Sequence, residues 1–472
     1  MAGIVSIGAY VPMYRLSGEE IGRMWQIKGA AGEKAVAGYD EDAVTMAMAA
    51  VRNCMGKGER NPDALFLAST TAPYQEKQNA AIIAAALDME RTCLTADYAN
   101  SLKSATIAMR AALDAVKAGS VGSAVVVAAD CRMGAPAGRF EQILGDGAAA
   151  VMIGEKDVIA EVVATYSVFS DFTDEWRTGN DPFVRMGESR FVEDVGFLPA
   201  MKEAVAGLLK KCKLELKDVS KFVFSALDAR VHGLLVKSLG LEKAQVQDPL
   251  FGKIGNTGTP AAFLMLAAAL EEAKPGEMIL VANYGDGADA MLLKATEKVA
   301  GVTKAASMKE MLSRTRSIDY GSYLSWRELI PFEASSLPER TEPSLASRWR
   351  ERKVVSSLMG VKCRKCGTPQ IHPIGQNVRI CIACQAKDDF EPYPFSNRKG
   401  TLFTYSIDHL QPTKTPPGLN GVIDFEGGGR LICELTDYDL EKVRIGMQVE
   451  MTYRKFFQGK GIVNYFWKAK PV

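Results

Sequence analysis

The chain has 472 residues, 47% of them hydrophobic and 24% charged, and a formal net charge of +1. That length exceeds the roughly 250–300 residues at which one core stops growing, so at least two domains are expected, and the composition excludes a disordered or fibrous chain. The near-zero charge gives no general attraction for nucleic acid or anionic membrane, no run of about 18 apolar residues occurs, and Met1 leads straight into a strand-like stretch, so a cytoplasmic protein with no nucleic-acid and no membrane partner is expected.

Apolar runs alternate with Ala-rich stretches of helical period up to about residue 297: a strand in GIVSIGAYV (3–11), a helix near 41–54, a strand in ALFLAS (64–69), a helix near 77–88. This is an α/β rhythm. It also repeats itself, because SAVVVAADC through GDGAAAVMI (123–153) has a counterpart in EMILVANYGDGADAMLL (277–293), with Gly145-Asp146-Gly147-Ala148 matching Gly285-Asp286-Gly287-Ala288. DALFLAST (63–70) and KFVFSALD (221–228) form a second pair. Repeats this long suggest two similar α/β halves, 1–165 and 166–300. Residues 301–345 turn charged and helix-prone, then rich in Pro, Ser and Glu, which reads as an extension and linker. A helix and a cysteine-rich segment follow over 346–395, and 396–472 carries short β-rich runs punctuated by Gly and Pro, the pattern of a small barrel.

Nine cysteines in a chain with no secretory signature point to thiols or metal ligands rather than disulfides. Four of them, Cys363, Cys366, Cys381 and Cys384, form two C-x2-C knuckles 14 residues apart, the spacing of a closed four-thiolate site for structural Zn2+. His372 lies between the knuckles and is not needed as a ligand.

Several blocks carry a family resemblance: GIVSIGAYVPMYRL (3–16), YDEDAVTMAMAAVRN (39–53), IGNTGTPAAFLMLAAALEEAKPGEMILVANYGDGA (254–288) and IDYGSYLSWRELI (318–330). Over about 330 residues the chain resembles the archaeal and bacterial type of hydroxymethylglutaryl-CoA synthase, and more distantly the ketoacyl-ACP synthase III enzymes. The resemblance implies a thiolase-like fold, layered αβαβα, that handles acyl-CoA. The ribbon and barrel resemble the zinc-ribbon and OB-fold proteins that accompany such enzymes, often as separate subunits docked beside the acyl-CoA site.

The resemblance also implies a Cys nucleophile at a helix N-terminus, a His and an Asn that stabilise developing charge, and a Glu acid/base. In this sequence Leu102 stands at the Cys position, Ser225 at the His position and Thr70 at the Glu position, and Asn256 alone is retained. Pro73, Tyr74 and Lys77 match the residues that follow the family's Glu. No near neighbour is a ready replacement. Cys93 and Cys131 lie at the far end of one strand and after the next, Ser101 is expected to face elsewhere, Glu76 to belong to the next helix, and His232 to be a satisfied residue inside a helix. Asp130, Asp146, Asp228 and Asp286 are weak candidates for a compensating acid or base, with Asp146 and Asp286 expected in turns.

Two functions follow from this and stay open at the level of sequence, so whether the chain is itself an enzyme is not decided. One is a degenerate subunit that assembles with an active thiolase-fold homologue, as homo- or hetero-oligomer. The other is an acyltransferase that forms or cleaves a C–C bond in CoA esters without a covalent intermediate. A third, nucleic-acid binding by the barrel, is disfavoured: residues 361–472 carry 16 Lys and Arg against 11 Asp and Glu, and Phe403, Tyr405, Tyr453, Phe456 and Phe457 read as core or partner contacts.

Overall fold

The computed structural model describes residues 2–56, 61–179, 181–301, 307–331, 333, 344–371, 377–411 and 413–472. His372 and most of the Pro-, Ser- and Glu-rich linker lie outside the described residues. The chain divides into two compact units. The first runs to Tyr323, except Tyr39–Glu41 and Ile82–Met89, which belong with Leu324–Val472 in the second. Among the described residues no helix is long and apolar enough to cross a membrane.

The first unit is built on nine strands: β1 (Gly3–Tyr10), β2 (Ala64–Ala68), β3 (Leu94–Tyr98), β4 (Ser123–Cys131), β5 (Asp146–Gly154), β6 (Ala160–Phe169), β7 (Lys221–Phe224), β8 (Met278–Tyr284) and β9 (Gly287–Ala295). Their order in the sheet is β7-β8-β9-β6-β1-β5-β4-β2-β3. The repeat seen in the sequence is thus a repeat in space. In the first half β2 and β4 run parallel and β4 turns back antiparallel on β5; in the second, β7 and β8 run parallel and β8 turns back on β9. The halves meet where β1 and β6 pair through only Gly3↔Glu161 and Ile4↔Ala160.

The central strands are apolar throughout because both faces are covered; all nine residues of β5 are buried. Helix α1 (Ala43–Met55) starts where Asp42 accepts from the Thr45 N–H and the Thr45 hydroxyl accepts from the Asp42 N–H, a capping box. The next helix spans only Ala80–Ala86, shorter than the sequence suggests, because the Asp97 carboxylate takes the N–H groups of Asn79 and Ala80 and fixes its start. Helices α2 (Ser104–Lys117) and α3 (Ala261–Glu272) share one core cluster with strands of both halves. Eight of the twelve α3 residues are buried, so the helix is apolar nearly all round.

In the second unit, strand Met359–Cys363 pairs with Pro369–Gln370 and Phe390–Pro394, framing the cysteine knuckles. Five antiparallel strands follow in the order Arg430–Glu434, Gly418–Phe425, Lys399–Asp408, Gln448–Gly459, Ile462–Pro471, and a bridge between Leu435 and Ala469 closes them into a barrel.

Candidate functional site

The carboxyl ends of the parallel strands open on one cavity of about 180 Å³ in the first unit. Thr70 lies just past β2, Leu102 past β3, Ser225 past β7 and Asn256 before α3, and all four line this cavity although up to 186 residues separate them (Thr70 to Asn256). Crevices of this kind, outside the carboxyl ends of sheet strands, are where α/β folds usually bind ligands.

Leu102 stands immediately ahead of α2, whose N-cap residue Lys103 makes no side-chain cap. The Lys103 ammonium instead donates to the carbonyls of Val168 and Asp286, 3.0 Å each, which holds the approach to α2 against the β8–β9 turn. Gly285 in that turn has φ +157, and a Cβ there would fall 2.9 Å from the Lys103 nitrogen, so both conformation and space require glycine. Ser101 was expected to face elsewhere, yet it lines the same cavity as Leu102; both precede the first turn of α2, so the helical angle between neighbours does not apply.

Asn283 joins these positions. Its side-chain oxygen accepts from the Ser225 hydroxyl at 2.6 Å and its amide donates to the Leu102 carbonyl at 3.0 Å. Asn256 is fully engaged with backbone: its amide donates to the carbonyls of Ala226 (3.2 Å) and Leu227 (3.0 Å), and its oxygen accepts from Gly258 N–H at 3.0 Å. In this arrangement Asn256 ties loops together.

The four aspartates separate clearly. Asp130 is fully buried and accepts from the hydroxyls and amides of Thr71 and Thr259, the Ser69 hydroxyl and the Thr70 amide, which leaves it a structural hub. Asp228 caps the helix Ala229–Leu239 and pairs with Arg139. Asp286 occupies the β8–β9 turn with φ +45. Asp146, expected in a turn as well, is instead the buried first residue of β5 and accepts from the Ala37 N–H at 2.6 Å. Glu76 does not belong to the next helix, which begins at Ala80. Cys93 just precedes β3 and Cys131 ends β4, and neither lines the cavity. His232 lies in the helix Ala229–Leu239 as expected, but its buried Nε2 has no hydrogen-bond partner, so it is not satisfied.

The sequence reading missed the charged groups of the cavity. Arg132, one residue past β4, pairs through Nη2 with Glu175 Oε2 at 2.6 Å, and both side chains are nearly buried. Tyr284 also lines it; burial, then the adjoining Asp174 carboxylate, push its phenol well above the usual range, so it stays protonated. Tyr284 had a signal, since it ends the strand before the repeated Gly-Asp-Gly. Arg132 had none, because a charged residue after a strand reads as a solvated loop.

In the second unit the sulfurs of Cys363, Cys366, Cys381 and Cys384 all lie within 4.8 Å of one another and could hold a metal ion. Each knuckle closes the same way: Gly367 N–H donates to the Cys363 carbonyl and Gln385 N–H to the Cys381 carbonyl, with Gly367 at φ +75 and Gln385 at φ +60. The left-handed residue after each pair turns the chain so that both thiols face inward.

Residues 209–294 match the family described as 3-oxoacyl-[acyl-carrier-protein] synthase III, C terminal, and residues 393–454 match the ChsH2 C-terminal OB-fold domain. Hydroxymethylglutaryl-CoA synthase of Methanopyrus kandleri is 33% identical over 344 residues, 70% of this chain and 98% of that protein. The Archaeoglobus fulgidus synthase is 35% identical over 343 residues, 70% and 99%. Among solved structures, an HMG-CoA synthase complexed with CoA aligns over 72% of this chain and 92% of its own at TM-score 0.63 and 19% identity. The 3-oxoacyl-(acyl carrier protein) synthase III of Pseudomonas aeruginosa aligns over 62% and 98% at TM-score 0.58 and 19% identity. With a third of its residues identical along nearly the whole length of these synthases, the chain belongs to the hydroxymethylglutaryl-CoA synthase family of the thiolase-like fold and carries a C-terminal OB-fold domain beyond the matched region.

Proposed function

We propose that this chain is a catalytically degenerate thiolase-fold subunit that holds an acyl-CoA ester without a covalent intermediate and assembles with a catalytically complete homologue. Leu102 carries the reading: at the cavity wall ahead of α2, where the family's chemistry needs a thiolate, there is a hydrocarbon side chain that can neither form a thioester nor donate a proton. The backbone commitments of Asn256 and the hydroxyl of Ser225 bound to Asn283 support it, since neither leaves an evident acid or base.

The deciding experiment is intact-protein mass after incubation with acetyl-CoA, for the native chain and for Leu102→Cys. The expected outcome is no adduct on the native chain and an acetyl adduct on the variant, whose new thiol sits at a helix start that favours the thiolate. An adduct on the native chain overturns the proposal. The second reading, direct C–C bond formation or cleavage in CoA esters, draws on the Arg132–Glu175 pair in the same cavity, and turnover of acyl-CoA by the purified chain alone would favour it.

The second unit is proposed to carry a structural zinc ion. Four thiolates at the usual zinc–sulfur distance of about 2.3 Å stand roughly 3.8 Å apart at the corners of a tetrahedron. The sulfurs of Cys363 and Cys384 are 3.7 Å apart and those of Cys366 and Cys381 3.5 Å, so the donor set fits. A closed set of four leaves no open position for catalysis, and the ion would contribute folding energy to the ribbon.

A further inference from the structure

The second unit holds a cavity of about 490 Å³, larger than the one in the first unit and unused by the readings above. The helices Leu345–Arg350 and Arg352–Ser357 border it on one side and the barrel on the other, and Trp467 Nε1 donates to the Ser356 carbonyl at 2.8 Å, which fastens the second helix to the barrel. The barrel side is aromatic for a reason visible in the strand register. Side chains of a strand alternate between its faces, so Phe456 and Phe457 would ordinarily point opposite ways. The hairpin of Gln448–Gly459 with Ile462–Pro471 instead carries a bulge: Lys455 pairs with Tyr465 and Phe457 with Asn464, so Phe456 is the extra residue and both phenylalanines line the cavity. Their ring centroids are 5.7 Å apart, and Phe466 stands 6.1 Å from Phe456. Ile432 also lines it and is 73% exposed, and Phe456 is 38% exposed, so this apolar surface is open rather than packed.

The charge of the lining narrows what the space accepts. Lys468 and Glu434 are paired with each other at 2.9 Å, which leaves Arg348 and Arg350 against Glu351, a surplus of one positive charge. Arg350 reaches only the Ser347 hydroxyl, at 3.2 Å, and among the described residues the partly buried Arg348 guanidinium takes part in no ion pair or hydrogen bond. A volume between about 300 and 1,000 Å³ with a mostly apolar wall and a few polar groups is the usual make-up of a small-molecule site. We infer that this cavity binds a small carboxylate with a hydrocarbon body, of the fatty-acid class, its body against Phe456, Phe457, Phe466 and Ile432 and its head at Arg348. A guanidinium fork matches a carboxylate, and the single surplus charge suits a monoanion better than a phosphate monoester. The inference concerns the second unit and stands apart from the acyl-CoA reading of the first.

The test is calorimetric titration of the full-length chain with decanoate and with decanamide, an uncharged analogue of the same length, both below micelle-forming concentration, for native protein, Arg348→Met and Ile432→Glu. Both side chains reach solvent, so folding is not at stake. The expected result for the native chain is a single bound decanoate, held about tenfold more tightly than decanamide, ~1.4 kcal/mol. Arg348→Met should bring that ratio toward one while decanamide binding stays put. Ile432→Glu should weaken both ligands about tenfold, since it sets an ionised carboxylate against the hydrocarbon body. No binding by the native chain, equal binding of the two ligands, or native behaviour in either variant overturns the assignment. So does self-association of the native chain in analytical ultracentrifugation that Ile432→Glu abolishes and decanoate leaves unchanged, which would make the cavity part of a contact between copies. Titration with acetyl-CoA is read separately: it reports on the first unit, should be the same in all three proteins, and its failure would leave the decanoate result standing.

Discussion

His232 is stacked on Phe224, with 4.3 Å between ring centroids, and its Nε2 is buried without a hydrogen bond. Burial, opposed in part by Asp248, lowers its pKa to about 4 from the ordinary 6.5. The folded state therefore keeps the imidazole neutral while the unfolded state binds a proton below pH 6.5. Stability from this residue is fully present above pH 6.5 and is lost as the pH falls toward 4, by roughly 3 kcal/mol in all. Replacing His232 with Phe leaves an aromatic ring against Phe224 and removes the proton site, so urea unfolding across that pH range should show a smaller acid loss in His232→Phe than in the native chain. Equal losses would place the acid sensitivity elsewhere. The sequence placed His232 inside a helix, but it could not reveal the unpaired nitrogen, because that depends on Phe224 and Phe251 arriving from other elements.

The ribbon is the element whose chemistry was most legible. Two matched spacings specify which four thiols converge, since each knuckle is a local turn closed by its own backbone hydrogen bond. Plasma mass spectrometry of the purified chain should find one zinc per molecule. Chelation, or Cys363→Ser, should release it and raise hydrogen exchange across Met359–Pro394, because the frame strands Met359–Cys363, Pro369–Gln370 and Phe390–Pro394 are short and carry little core of their own. A chain that holds no zinc and keeps that protection would remove the metal from the account. The repeated strand pairs of the first unit were legible for a related reason, as a strand, a turn and a returning strand lie close in sequence. The cavity was legible only position by position. Thr70, Leu102 and Ser225 could be located because their flanks fix the register, whereas Arg132 and Glu175 meet across 43 residues with no periodic signal between them.

At the scale of the molecule, the second unit is not one contiguous stretch. It takes in Tyr39–Glu41, which directly precede Asp42, the cap of α1 in the first unit. Arg454, almost completely buried, pairs with Glu41 at 2.6 Å and Asp437 at 2.5 Å, and Lys468 pairs with Asp40 at 3.0 Å and Glu434 at 2.9 Å. Burial alone would raise the Asp40 pKa, but Lys468 and Arg454 hold it below the usual carboxylate range, so its contribution is lost as the pH falls through that lowered value. Removing one member of such a cluster strands the others as uncompensated charge, an effect of about 3–5 kcal/mol. Because two of the acidic members, Asp40 and Glu41, sit on the chain leading directly into α1, unfolding the second unit pulls on the helix cap of the first, and scanning calorimetry of the native chain should show one cooperative transition. Arg454→Met, which fills similar volume without charge, should lower it and separate it into two, the lower one sensitive to chelator and the upper one raised by acetyl-CoA, since a ligand stabilises only the unit that binds it. Two separate transitions in the native chain would mean that the segment 39–41 transmits no coupling, and the buried charges would then stabilise the second unit alone.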